Sequence, residues 1–362
     1  MFKKDISKST TRRGLSIMLN PLIIVLFLVS CSNSTEDFMT QYKDKTIIIY
    51  LVADNSLQQY SDSLFNDIDI FCQGKELENS NVIVFCDDDK ATSLYQATNR
   101  GMVKLVDYNN VNSVSPQNVY EILNYICEKY PASETGLILW SHGSGWLPTG
   151  NKTRSFGDDE GEAIDINDLS ASICKKMDYI IFDACYMGCI EVVTELKEKS
   201  DYFVLSPDVV PSEGIVDTVS INTLMGKGGL EDRLIRVSKH YTDDMYRQKQ
   251  LPIALVKSSE FDGMMQLCNR MTKDDFNDEP SYYKFRANTI FYDLGSLINS
   301  GNNSHALEIL NKFIVYRPKY ISDNACLSIF VPNDNNRNYH EYYSMTKWNE
   351  MTNWLCKFGF LN

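Results

Sequence analysis

Apolar residues along this chain arrive in short blocks, separated by polar, turn-rich stretches, and the period of the pattern changes from block to block. Residues 45–53, 81–86, 136–140, 178–185 and 202–205 are runs of strand length, rich in β-branched and aromatic side chains, which is how buried strands read. Residues 57–77, 115–129, 167–176 and 191–199 fall between them and are expected to be helical. Ser115 can cap the second of these helices, with Pro116 in its first turn. Strands alternating with helices predict an α/β fold: a mostly parallel central sheet with helices on both faces. Beyond Gly226 helices are expected near 230–248 and 258–271, around a strand at 251–256, with a late strand at 327–331. Neither an internal repeat nor a low-complexity linker divides the chain, so its second half is expected to pack on the first.

Two of the strand blocks stop in the same way, at a reactive side chain among small residues: His142, followed by Gly143-Ser144-Gly145, and Cys185 after Asp183-Ala184. Open α/β sheets keep their sites at the carboxyl ends of neighbouring strands. His142 and Cys185 are therefore candidates for a base and a nucleophile, distant in sequence and adjacent in space. Taken alone, His142 also fits a core or loop role. Cys189 competes with Cys185, but it opens a helix and is expected to be packed as a small core residue. A metal reading of His142, Cys185 and Cys189 fails for want of a second pair to complete a tetrahedral set, so no metal is assigned. His240, His305 and His340 lie in polar contexts and read as surface residues.

The N-terminus changes the picture. Lys3, Lys4, Lys8, Arg12 and Arg13 precede an apolar stretch, residues 22–29, that is short for a bilayer span and suits a signal-peptide core. Residues 1–30 are accordingly expected to be a lipoprotein signal peptide. Leu28-Val-Ser-Cys31 resembles the lipobox of bacterial lipoproteins, which would make Cys31 the lipidated first residue, followed by a flexible tether over 31–43. An ordinary signal peptide or a membrane-anchoring helix is the alternative. The implied location is the bacterial cell envelope, as an outer-membrane lipoprotein facing the periplasm or the exterior; Glu36-Asp37 leans toward surface export.

With 43% apolar and 12% aromatic residues the remaining chain can bury one large core or two modest ones. Removing residues 1–30 takes away five basic groups and Asp5, so the net charge goes from −13 to −17. That balance argues against nucleic acid as a partner and is compatible with cationic substrates. Nine cysteines follow Cys31, mostly inside apolar runs, and their spacing defines no disulfide framework.

Ser141-His142-Gly143-Ser144-Gly145-Trp146, with the run from Phe182-Asp183-Ala184-Cys185 to Glu191, resembles the clostripain family of cysteine peptidases. That family shares the caspase-like α/β/α fold with caspases, legumains and gingipains. Tyr50-Leu-Val-Ala-Asp-Asn55, Ser206-Pro207-Asp208, Pro211-Ser212-Glu213-Gly214, Tyr292-Asp293-Leu294 and Leu327-Ser-Ile-Phe-Val-Pro332 look like the same family in the same order, so the resemblance runs from about residue 45 to the C-terminus. It implies a caspase-like sandwich with a C-terminal α/β extension packed on it, the catalytic core at 44–225 and the rest of the same peptidase unit at 226–362. His142 would be the base and Cys185 the nucleophile, with the backbone N–H groups of Gly143 and Cys185 holding the oxyanion. Cleavage after basic residues, Arg over Lys, would rest on Asp183 and on Glu213 or Asp208. Pro207 and Ser212 depart from the family's commoner residues, which would reshape the pocket.

Relatives are often zymogens that cut themselves in the loop corresponding to 147–159, which here offers Arg154 first and Lys152 second. The product would be a monomer, of two chains after cutting. Some relatives need calcium; Asp87-Asp88-Asp89 and Asp158-Asp159-Glu160 lack an EF-hand pattern, so no obligatory cofactor is expected. Two other functions fit part of this pattern: a legumain-like peptidase with non-basic specificity, and a catalytically silent binding lipoprotein on the same scaffold.

Overall fold

The computed structural model describes residues 42–149, 152–153, 155–285, 288–298, 304–321 and 324–360. The expected signal peptide, Cys31 and Arg154 lie outside the described residues. In chain order the first half contains β1 (Lys43–Val52), α1 (Gln58–Cys72), β2 (Ser80–Asp87), β3 (Thr92–Thr98), β4 (Gly101–Asp107), α2 (Pro116–Lys129) and β5 (Ala132–Trp140). Two short hairpins follow, β6 (Pro148–Thr149) with β7 (Lys152–Thr153) and β8 (Phe156–Asp159) with β9 (Glu162–Ile164). Then come α3 (Ile166–Ser172), β10 (Met177–Asp183), α4 (Ile190–Leu196), β11 (Ser200–Leu205), α5 (Thr218–Met225) and α6 (Leu230–Lys239). The last part holds β12 (Ala254–Lys257), α7 (Phe261–Arg270), β13 (Tyr282–Phe285), β14 (Asn288–Asp293), α8 (Leu294–Ile298), α9 (Ser304–Phe313), β15 (Ile314–Tyr316) and β16 (Ser328–Phe330). Three short helices close it, α10 (His340–Ser344), α11 (Lys347–Thr352) and α12 (Trp354–Lys357).

Nine strands form one sheet in the order β15-β12-β11-β10-β5-β1-β2-β3-β4. The central strands, β11 through β2, run parallel, and antiparallel strands flank them on both sides. Because side chains alternate across a strand, each central strand feeds two cores. Ile48, Tyr50, Leu137, Leu139, Ile180 and Phe182 face one layer, built from α2, α3, α4, α7 and the C-terminal helices. Ile47, Ile49, Leu51, Ile138, Tyr179 and Ile181 face the other, built from α1, α5 and α6. The expected α/β/α sandwich is what forms.

The C-terminal extension is sewn directly to the loop after Cys185. β13, β14 and β16 make a small antiparallel sheet. Ser328 of β16 donates its N–H (2.8 Å) and hydroxyl (3.0 Å) to the Gly188 carbonyl. From the buried face of α4, Glu191 accepts the Phe330 N–H (2.9 Å) and the Tyr343 hydroxyl (2.8 Å).

Candidate active site

β5 and β10 are neighbours in register, Gly136 opposite Tyr179 and Trp140 opposite Asp183, so the two strands end side by side. Beyond their ends the backbones stay in contact. Ser141 donates its N–H to the Asp183 carbonyl (3.3 Å) and its hydroxyl to the Val52 carbonyl (2.7 Å), which fixes the exit of β5 against β1. A Cβ on Gly143 would lie 2.4 Å from the Cys185 carbonyl oxygen, so that approach requires glycine. Gly143 also bridges to Phe156, with the His142 carbonyl accepting the Gly157 N–H (3.0 Å). His142 and Cys185 are thereby held on one surface, both half-buried, and line the same two hollows.

The imidazole Nε2 of His142 lies 3.0 Å from the Ser56 hydroxyl, a partner in the turn after β1 that the sequence pattern had not singled out. Burial lowers the His142 pKa, against the pull of Asp158. Burial raises that of Cys185, with help from the charges of Asp183 and Asp208, while the Val210 N–H, 3.3 Å from Sγ, works the other way. Burial thus favours the neutral form of both the thiol and the imidazole. Cys189 is fully buried at the start of α4, packed as expected.

Asp183 occupies the last position of β10 and is 3% exposed. Its Oδ2 accepts N–H groups from Ile215 (2.8 Å) and Val216 (2.9 Å), which folds the loop after β11 back over the site. Gly214, at φ +82°, permits this: a Cβ there would stand 2.7 Å from both Asp183 Oδ2 and Trp140 Nε1. Oδ1 has no partner among the described residues. Burial pushes the carboxyl up to about 7, although the two N–H groups favour its charged form.

A hollow of about 270 Å³ is lined by Trp140, Asp183, Val209, Pro211 and Ser212 and bounded by His142 and Cys185. The structure does not bring the other two sequence candidates into it. Glu213 is exposed on the loop above, and Asp208 is half-buried with its Oδ1 on the Val209 N–H (2.8 Å). A second hollow, about 420 Å³, lies against the pair and is lined by Gly143, Ser144, Ser155, Asp158, Tyr186 and Phe285.

Lys152 belongs to the β6–β7 hairpin, five residues beyond the buried Leu147. Among the described residues no group of three or more His, Cys, Asp or Glu could hold a metal ion, and all nine cysteines are free thiols. No described helix is long and apolar enough to cross a membrane.

The sequence profile of the clostripain family matches residues 49–355. Among solved structures, a secreted C11 cysteine protease from Bacteroides thetaiotaomicron in complex with an irreversible peptide inhibitor is similar, with a TM-score of 0.75 and 23% identity over 86% of this chain and 100% of that one. An inactive zymogen C11 protease from Parabacteroides distasonis gives 0.73 and 23% over 86% and 98%. A further secreted C11 cysteine protease from Bacteroides thetaiotaomicron, iotapain, gives 0.69 and 18% over 86% and 99%. At these identities the likeness is one of fold. No curated protein matches the chain.

Proposed function

The chain belongs to the clostripain family and is a cysteine peptidase acting on peptide or protein substrates, and from that premise we propose that it cleaves after basic residues, Arg over Lys, with Cys185 as nucleophile and His142 as base. The observation that supports the specificity is Asp183, which lines the smaller hollow and whose buried carboxylate has one oxygen without a partner among the described residues. A guanidinium entering there supplies the missing hydrogen bond and the opposite charge together, and it holds Asp183 ionised. Asp183 alone takes this role; Glu213 and Asp208 do not line the hollow.

In the proposed reaction, His142 withdraws the Cys185 proton as the sulfur attacks the carbonyl carbon of the substrate's basic residue. Because burial favours the neutral form of both groups, the proposed proton transfer accompanies the attack rather than preceding it. The Val210 N–H eases the developing thiolate. Neither Gly143 nor Cys185 donates its N–H to a main-chain carbonyl among the described residues, which leaves both for the oxyanion. His142 then passes its proton to the departing amine. Water, deprotonated by His142, releases the acyl group and restores the thiol.

Peptides carrying a fluorogenic group after Arg, Lys, Asn or Asp test this directly. Arg is expected to be turned over fastest and Lys second, with nothing cut by Cys185→Ala. Asp183→Asn should lose roughly a hundredfold or more in kcat/KM toward Arg. Preference for Asn or Asp would establish the legumain-like alternative, and silence toward all four the binding scaffold.

The proposal extends to the cell. Leu28-Val-Ser-Cys31 supports a lipid anchor at Cys31 and an outer-membrane lipoprotein, and the description of two similar structures as secreted proteases supports export. Self-cleavage after Arg154, with Lys152 second, is supported by two basic residues in a polar loop between the catalytic strands and by a zymogen among the similar structures. Cys31→Ser should move the mature protein from the detergent phase to the aqueous phase. Purified Cys185→Ala should stay whole where the wild type is cut; equal nicking of both would end the self-processing reading.

A further inference from the structure

The two hollows share His142 and Cys185 and differ in the rest of their lining, and the chemistry assigns them different parts of a substrate. If the residue before the cleaved bond enters the smaller hollow toward Asp183, its carbonyl carbon sits at Cys185. The amine that leaves must then face His142, which protonates it, and must depart away from Asp183. The larger hollow meets that requirement: it contains His142 and Gly143 but neither Trp140 nor Asp183. Resting on the Proposed function, we propose that this larger hollow binds the first residue after the cleaved bond, and that Asp158 there selects a basic side chain.

Asp158 ends no chain of partners. Its Oδ1 accepts the Gly161 N–H (2.9 Å) in the β8–β9 turn, and its Oδ2 has no hydrogen-bond partner among the described residues. It stands close enough to His142 to act on the imidazole's titration. Phe285 lines the hollow too and adds an apolar surface that the stem of a long basic side chain can contact. Preferred substrates would then carry basic residues on both sides of the bond. The bonds expected to be cut in self-processing are followed by Thr153 and Ser155 instead; there the covalent tether supplies positioning that a free peptide must obtain from contacts.

The test is a set of internally quenched peptides. A first series varies the residue before the bond; a second fixes whichever residue the enzyme prefers there and places Arg, Lys, Ala, Ser or Asp after it. Failure of the basic preference before the bond thus appears in the first series and leaves the second intact. The expected result is roughly fivefold faster kcat/KM with Arg or Lys than with Ala after the bond, and Asp slowest. In Asp158→Asn, which keeps an acceptor for the Gly161 N–H, the Arg-to-Ala ratio should fall to near one; in Asp158→Glu it should persist. Ratios within each variant are read, so a change in overall rate through His142 does not enter. A flat or acid-favouring profile in the wild type, or a ratio unchanged in Asp158→Asn, overturns the proposal.

Discussion

Asp183 and Cys185 sit two residues apart, and burial acts on both in the same direction: it disfavours their charged forms. Burial pushes the Asp183 carboxyl up to about 7, whereas the proposed arginine substrate requires it charged. For the proposed specificity, kcat/KM toward Arg peptides should therefore fall as the pH drops through 7. Alkylation of Cys185 by a small neutral reagent does not use Asp183, so its rate should lack that acid limb. It should keep climbing above pH 9, because the thiol is raised beyond its ordinary value. Stopped assays over pH 5–10 with an Arg peptide and with iodoacetamide separate the two profiles, and coincident profiles would refute this account. At this scale the sequence was informative about identity and silent about partners. A histidine and a cysteine at strand ends are visible as letters; Ser56 beside the imidazole and Val210 over the sulfur are brought in by loops from elsewhere in the chain.

Among the elements, α4 carries more than its seven residues suggest, because all of them are buried and two are acidic. Glu195 accepts the Lys347 N–H (2.8 Å) and pairs with its ammonium (2.9 Å), tying α4 to α11. Glu191 is sealed in the core with one oxygen unpaired, and burial pushes it from 4.5 up to about 7. A folded-state pKa raised in this way means that folding holds the proton. The associated stability is complete in acid, is lost as the pH climbs from about 4.5, and is gone above about 7. Glu191→Gln keeps an oxygen for the Phe330 N–H and removes the titration. Its unfolding free energy should gain on the wild type between pH 5 and 8 by up to roughly 3 kcal/mol, read from urea unfolding at each pH; a constant difference would disprove it.

Element boundaries were legible where burial is complete and blurred elsewhere. The β3–β4 hairpin went unread because its strands, β4 at the sheet edge and β3 beside it, mix polar and apolar residues without a clean period. The expected helix over 230–248 stops at Lys239. Beyond it His240 is gathered between Asp217 (2.8 Å) and Asp244 (3.1 Å), and the backbone loosens into a wider turn over His240–Met245.

For the molecule as a whole, the expected processing loop divides the chain between two strands that pair with each other. β5 precedes the loop and β10 follows it, with five residue pairs in parallel register and both cores continuous across them. Cutting at 152–154 therefore severs no sheet pairing between these strands. The two products should elute together from gel filtration in native buffer and part only in denaturant; separation without denaturant would contradict the interlocked cores.

The sequence by itself determined the alternation of strands and helices and the α/β/α class, and it singled out His142 and Cys185 as candidates, because each depends on local periodicity and on residue type. Order along the chain also carried the family resemblance. Tertiary structure alone decided which of the acidic candidates lines the smaller hollow with Cys185. Asp183, Asp208 and Glu213 are equally acidic as letters, but only Asp183, at the end of β10, is among the lining residues of that hollow, buried with one oxygen unpaired among the described residues, because strand order and loop packing are set by contacts distant in sequence.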